Sequence, residues 1–267
     1  MKTLNLAVIG KDVSKSDSPA IHTFISSKTG NSVSYKKISI DESEFEDRAE
    51  GLFKEFDGFN VTIPYKLSII PYLNKICGDA QAFGAVNTVN AGDRLGYNTD
   101  GMGFALMLKN DGVDVCGKDV LLLGAGGAGR SVAKKLADAG ANVFIYDTRF
   151  ESSQKVASEF GATPVENVTA KPYYAIINAT GIGMHKTEGI SPVGEDLLSL
   201  CSVAVDLIYT PEKSAFLQIA EALGKKIVNG KAMLFYQAYY SQCIFFGIAP
   251  DEEQAKLLFT QYTEENI

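Results

Sequence analysis

A chain of 267 residues, 46% of them hydrophobic, holds enough apolar material for one large domain or two modest ones. Its net charge of −7, with no run of Lys and Arg, argues against nucleic acid as a partner. Cys77, Cys116, Cys201 and Cys243 lack metal-type spacing and read as reduced thiols of a cytoplasmic protein, and with only His22 and His185 neither a zinc site nor a Ser-His-Asp hydrolase is expected.

The start, MKTLNLAVIGKD, reads as a first strand and not as a signal peptide, because Lys11 and Asp12 interrupt a short apolar run. Leu4–Ile9 is the strand, and Pro19–Lys28 follows as a helix with Ser18 as its cap. Val33–Ile38 predicts a strand, Glu42–Phe56 a helix and Gly58–Val61 a further strand. Such alternation implies an α/β fold with a parallel or mixed sheet covered by helices. The theme repeats with strand Val120–Leu123, helix Ala128–Asp138, strand Val143–Tyr146 and helix Ser152–Phe160. Strands near Ala175–Asn178, Val203–Asp206 and Lys226–Val228 continue it. Helical patterns at Gly101–Lys109 and after Gly230 carry the chain between domains. Ala232–Ala249, broken by Gln237, Ser241 and Gln242, reads as a buried amphipathic helix rather than a membrane span, and Asp251–Thr263 as a last helix packing back on the first domain. The expected architecture is an N-terminal α/β substrate domain, 1–101, completed by C-terminal helices in 236–267, and a Rossmann-like dinucleotide-binding domain, 102–235.

The second domain is named for VLLLGAGGAGR, Val120–Arg130, where Gly124, Gly126 and Gly129 stand in G-x-G-x-x-G spacing between a strand and a helix. The turn Gly124, Ala125, Gly126, Gly127, Ala128, Gly129 lets the backbone approach a pyrophosphate, and the helix N-terminus favours its charge. Asp147 ends the next strand, where a carboxylate can accept hydrogen bonds from an adenosine ribose and favour NAD. Arg149, beyond Thr148, can instead pair with a 2′-phosphate and favour NADP. The residues leave both cofactors open, with Asp147 tilting toward NAD.

In the leading domain, polar side chains gather where strands should end. Ser16 and Ser18 lie before a helix N-terminus, where hydroxyls and the helix dipole can hold a carboxylate, although a plain cap and a loop serine explain them too. Asn60, Thr62 and Asn87 are uncharged partners suited to a polyol, or else turn and edge residues. Lys66 follows a strand and the Pro64 turn, at the end of the sheet where α/β proteins bind ligands. Asp100 opens a helix, as a cap or as the partner of Lys66. Such a pair can grip one hydroxyl: the lysine protonates a ketone oxygen as hydride arrives, and takes the proton back in oxidation, which should therefore speed up as pH rises.

Blocks along nearly the whole chain resemble the shikimate dehydrogenase family: GKDVSKSDSP (Gly10–Pro19), GFNVTIPYK (Gly58–Lys66), GAVNTV (Gly84–Val89), YNTDGMGF (Tyr97–Phe104), INATGIGM (Ile177–Met184), DLIYTP (Asp206–Pro211) and NGKAMLFYQA (Asn229–Ala238). The resemblance implies reversible reduction of 3-dehydroshikimate to shikimate, usually with NADP, in aromatic biosynthesis. It implies that Ser16 and Ser18 meet the substrate carboxylate and that Thr62, Asn87, Tyr209 and Gln237 meet the carboxylate or ring hydroxyls. Lys66 and Asp100 become the catalytic pair, with Ile208 and Gly230 lining the nicotinamide side. Asp12 and Lys15 depart from the usual proline and histidine, and Asp147-Thr148-Arg149 replaces an asparagine-arginine-threonine common in NADP-using members. The competing expectations are a quinate/shikimate dehydrogenase of broader specificity and a non-catalytic dinucleotide or metabolite sensor. The expected partner is a small molecule, not nucleic acid or membrane, with a monomer or homodimer as the working form.

Overall fold

The computed structural model describes residues 3–266, so Met1, Lys2 and Ile267, at the outer limits of the expected substrate domain, lie outside the described residues. The chain divides into two compact units, Met1–Gly103 with Phe235–Ile267, and Phe104–Leu234.

The first unit begins with β1 (Thr3–Gly10), α1 (Ser18–Lys28), β2 (Ser32–Ser39), a 3-10 turn at Glu42–Glu44, α2 (Phe45–Glu55) and β3 (Gly58–Val61). There follow β4 (Lys75–Ile76), α3 (Asp79–Phe83), β5 (Thr88–Asn90) and β6 (Leu95–Tyr97). They form a six-stranded sheet in the order β2-β1-β3-β5-β6-β4. β1 runs parallel to both β2 and β3, whereas β5 is antiparallel to β3 and β6, so the sheet is mixed. β1 lies between two neighbours and is buried from Leu6 through Gly10, which explains its continuous apolar run. The strands β4 to β6 have two or three residues each, too few for a period to show in sequence.

α4 (Asp100–Asn110) carries the chain into the second unit, which holds β7 (Asp119–Leu123), α5 (Gly127–Asp138), β8 (Asn142–Tyr146), α6 (Phe150–Phe160), β9 (Thr163–Val165) and β10 (Tyr173–Asn178). α7 (Glu195–Leu198), β11 (Cys201–Asp206), α8 (Ala215–Ala222) and β12 (Lys226–Val228) complete it. The strands pair in the order β12-β11-β10-β7-β8-β9, all parallel. The order reverses between β7 and β10, and in such sheets ligands bind beyond the strand C-termini at that switch point. α9 (Lys231–Phe246) leads back to the first unit, where α10 (Glu252–Glu265) ends the described chain.

Two expectations need correction. Ser18 is the first residue of α1 and not its cap: Asp17 takes the cap position, and its carbonyl accepts the Ile21 amide at 3.1 Å. The Ser18 amide turns back to the Ser16 hydroxyl, 3.3 Å away, which starts the helix one residue early. α9 is buried on nearly every side from Ala238 to Cys243 rather than amphipathic, so Ser241 and Gln242 must find hydrogen bonds inside the protein. Among the described residues no helix is long and apolar enough to cross a membrane.

Candidate active site

Tyr65 fixes the turn that carries Lys66. Its buried ring stacks on Phe45 with 4.1 Å between centroids, and its hydroxyl donates to the Ile40 carbonyl. The Lys66 carbonyl accepts the Val86 amide at 2.9 Å. The half-buried side chain then reaches the first residue of α4: Lys66 Nζ stands 2.6 Å from Asp100 Oδ2, with the two side chains 24% and 15% exposed. The other carboxylate oxygen of Asp100 accepts from Asn87 Nδ2 at 2.8 Å. The Asp100 amide is satisfied by Asn98 Oδ1 at 3.1 Å, so Asp100 spends its carboxylate on Lys66 and Asn87.

A chain of neutral groups continues from Asn87. Its Nδ2 also donates to Thr99 Oγ1 at 3.0 Å, and its Oδ1 accepts from the Thr99 amide at 2.9 Å and the Thr88 hydroxyl at 2.8 Å. Ser241, brought in by α9, lies 2.8 Å from Thr88 Oγ1 and 3.1 Å from Thr99 Oγ1. Asn60 Nδ2 donates to Thr88 Oγ1 and Ser241 Oγ, each at 3.1 Å, and Asn60 Oδ1 accepts from the Tyr35 hydroxyl at 2.7 Å. Gln237 Oε1 accepts from Thr99 Oγ1 at 3.4 Å. Burial pushes the Tyr35 phenol far up, so it stays neutral. His22 stacks on Tyr35 with 4.5 Å between centroids, and burial pushes the imidazole down to about 3. Its ring nitrogens have no hydrogen-bond partner among the described residues. At the head of α1, the Ser16 and Ser18 hydroxyls lie 3.1 Å apart, and that helix has no side-chain cap. Thr62 packs against Gly10, where a side chain would come within 2.6 Å of the Thr62 methyl.

The second unit presents backbone instead. Gly124 follows β7 at a φ of +100°, and a methyl on Gly129 would lie 2.0 Å from the Gly124 carbonyl oxygen. Gly126, Gly127 and Ala128 are exposed at the head of α5, whose first turn has no side-chain cap. This turn fits a dinucleotide pyrophosphate, because it offers bare amides and a close approach that a Cβ would block. Asp147 does work that the sequence does not reveal: Oδ2 accepts the Ala125 amide at 2.8 Å and Oδ1 the Arg149 amide at 2.9 Å. Its carboxylate braces the glycine turn, whereas the Arg149 side chain is 79% exposed and Thr148 is exposed beside it. Beyond β11, the Gly230 amide donates to the Ile208 carbonyl at 3.2 Å, and a methyl on Gly230 would lie 2.0 Å from the Leu207 carbonyl oxygen. Tyr209 is half-buried on the same turn. Among the described residues no group of three His, Cys, Asp or Glu is placed to hold a metal.

Known proteins match both halves. Residues 8–89 match the shikimate dehydrogenase substrate binding domain, and residues 88–208 match the C-terminal domain of alanine dehydrogenase/PNT. A shikimate dehydrogenase (NADP(+)) of Carboxydothermus hydrogenoformans is 34% identical over 257 residues, 91% of either chain. One from Thermus thermophilus is 35% identical over 250 residues, covering 93% of this chain and 94% of that protein. The chain belongs to the shikimate dehydrogenase family. Among solved structures, the chorismate mutase/shikimate 5-dehydrogenase fusion protein from Clostridium acetobutylicum superposes with a TM-score of 0.91 at 32% identity, covering 99% of both chains. The Thermus thermophilus shikimate 5-dehydrogenase in complex with NADP(H) and shikimate gives 0.87 at 34% identity, covering 97% of this chain and 99% of that one.

Within this shikimate dehydrogenase-family chain, the first unit brings Lys66, Asp100, Asn87 and Gln237 into one hydrogen-bonded group, and Ser16 and Ser18 into another at α1. Sequence reasoning missed Tyr35, Thr88, Thr99 and Ser241. Thr88 and Thr99 adjoin Asn87 and Asp100 in blocks already singled out; Ser241 and Tyr35 carried no local signal.

Proposed function

We propose that this protein is an NADP-dependent shikimate dehydrogenase, reducing 3-dehydroshikimate reversibly to shikimate in aromatic amino acid (chorismate) biosynthesis. The observation that carries the reading is the Lys66–Asp100 pair, 2.6 Å apart and backed by Asn87 and a chain of neutral hydrogen-bonding groups. Bound NADPH supplies the hydride. Lys66 Nζ holds the proton that goes to the ketone oxygen, and stabilises the negative charge that develops there. Asp100 fixes the ammonium and, once the ketone has become a hydroxyl, accepts from it. In the oxidative direction Lys66 takes the proton back.

Ser16 and Ser18 receive the substrate carboxylate at the head of α1, where the helix dipole favours an anion. Thr62, Asn87, Tyr209 and Gln237 receive the carboxylate or ring hydroxyls. Neutral amides and hydroxyls suit such groups, because each can donate or accept without the cost of burying a charge. The domain expected over 1–101 with 236–267 takes the substrate, and the domain expected over 102–235 takes the dinucleotide.

NADP is favoured over NAD. The relatives named above carry NADP(+) in their names, and Asp147, 3.9 Å from Arg149 Nε, anchors an arginine side chain that is 79% exposed and open to a 2′-phosphate. Gly124 to Gly129 hold the pyrophosphate, and Ile208 and Gly230 line the nicotinamide side. The setting is cytoplasmic, and a monomer or homodimer suffices, since one chain carries both the Lys66 pair and the glycine turn.

A spectrophotometric assay of shikimate and quinate, each with NADP and NAD, tests the reading. Turnover with shikimate and NADP far above the other three combinations is expected. Comparable turnover with quinate would make it a broader quinate/shikimate dehydrogenase, and no turnover with any pair would leave a sensor.

A further inference from the structure

The second unit contains a buried carboxylate that the chemistry above does not use. Asp206 ends β11 with no exposed surface, and three elements converge on it. Oδ1 accepts the Ile208 amide at 3.0 Å and Asn178 Nδ2 at 3.0 Å; Oδ2 accepts the Ser214 hydroxyl at 2.5 Å. Ser214 caps α8, and Asn178 ends β10. Asn178 in turn organises the loop that follows: its Oδ1 accepts the Thr180 amide at 3.0 Å and its Nδ2 donates to the Ile182 carbonyl at 3.1 Å. That loop touches the glycine turn, since a methyl on Gly124 would lie 3.0 Å from Thr180 Cγ2 and 3.1 Å from the Ala179 backbone. On the other side, Ile208 is joined to Gly230 through its carbonyl. One carboxylate therefore links the backbone of the glycine turn, by way of Asn178, to the backbone at Ile208 and Gly230.

We propose that Asp206 is a positioning residue for the dinucleotide: its anionic carboxylate holds the Ile208 turn and the Asn178 loop in the arrangement that receives the nicotinamide end. This rests on the reading of the second unit as the NADPH-binding unit. Asp206 touches no reacting atom and acts through the Ile208 backbone and Asn178.

The groups facing Asp206 are all neutral: the Ser214 hydroxyl, the Asn178 amide and the Ile208 N–H. Lys213, beside Ser214, is paired instead with Glu221 at 2.7 Å. Burial without a cation pushes the carboxyl up to about 6, and its three hydrogen bonds pull the other way. The brace is thus strongest above that pH and weakens as Asp206 takes a proton.

The test is NADPH binding, followed by its fluorescence, for the parent chain, Asp206→Asn and Ser214→Ala between pH 5 and 8. Asparagine copies the shape of the protonated acid. At pH 7.5 Asp206→Asn should bind NADPH about tenfold more weakly, the scale of exchanging charge-assisted for neutral hydrogen bonds. The affinity ratio of parent to Asp206→Asn should fall toward one as pH drops through about 6, and in that ratio the titration of NADPH itself cancels. Ser214→Ala removes a bond that favours the anion, so its affinity should start to fall at a higher pH than the parent's. A ratio of one throughout, a ratio independent of pH, or an unmoved Ser214→Ala profile would overturn the proposal. A parent chain that binds no NADPH at pH 7.5 would overturn the functional reading and this inference with it.

Discussion

The two units build their candidate sites from different material. In the first, side chains form the hydrogen-bonded group of the proposed substrate site: the Lys66–Asp100 pair, then Asn87, Thr88, Thr99, Ser241 and Asn60 in a neutral chain beyond it. In the second, the proposed dinucleotide site presents mainly backbone, and the carboxylates of Asp147 and Asp206 turn inward. Asp147 braces the Ala125 and Arg149 amides, Asp206 braces Ile208, and glycines keep the approach open. A small polyhydroxy acid is distinguished by where its oxygens lie, which needs side chains at fixed places. A dinucleotide pyrophosphate is the same in every ligand of its kind, so a loop shape suffices.

Breaking the backbone half should have the largest effect. Gly129→Ala would press a methyl to 2.0 Å from the Gly124 carbonyl oxygen and force the turn open. NADPH affinity should fall by roughly a hundredfold or more, as one misplaced contact in a preorganised site costs, with shikimate binding by calorimetry nearly unchanged. A variant that still binds NADPH normally would remove the turn from the site. Breaking the side-chain half one step behind the chemistry should cost less. Asp100→Asn should lower kcat and raise the KM for shikimate, each by about tenfold or more, because it frees Lys66 and alters a substrate contact. Steady-state kinetics at unchanged values would exclude Asp100.

Arg149→Ala sharpens the cofactor side. Losing a charge-assisted pair of about 1.5–3 kcal/mol should cut the NADP-over-NAD ratio of kcat/KM roughly tenfold to a hundredfold. An unaltered ratio would place the 2′-phosphate elsewhere.

A last comparison takes one buried titratable group from each unit, and the signs of their effects are opposite. His22 is held near 3, below its ordinary 6.5, so its contribution to stability is full above 6.5 and is lost as pH falls. Asp206 is held near 6, above its ordinary 3.8, so its contribution is full below 3.8 and is lost as pH rises through 6. Relative to His22→Phe, the parent chain should lose about 2 kcal/mol between pH 7 and 5. Relative to Asp206→Asn, it should lose about 2 kcal/mol between pH 4.5 and 7.5. Urea denaturation at the paired pH values reads both, and parallel shifts in the two comparisons would contradict the burial of one group.

The contrast between the units also explains what could be read from sequence. The second unit was legible because parallel strands buried on both faces write continuous apolar runs, and a glycine turn writes its own spacing. β9, α7 and α8 are short and were missed. In the first unit, Lys66, Asp100 and Asn87 stood out as polar residues at strand and helix ends. The groups behind them did not: Ser241 lies on α9, far along the chain from Asn60, and a buried serine in an apolar helix looks like any interruption. Tyr35 sat inside a strand where an aromatic residue is ordinary. From its position alone Asp147 suits a ribose acceptor or an ordinary strand-end turn residue, and only the folded chain brings the Ala125 amide to it.

The proposed function turns on Lys66 carrying the proton in the oxidation and reduction of shikimate's ring. Lys66→Ala, followed by NADP reduction with shikimate and by shikimate titration of the same preparation, tests it most directly. Turnover should fall by about a hundredfold or more while shikimate affinity changes far less. Turnover near that of the parent chain would contradict it.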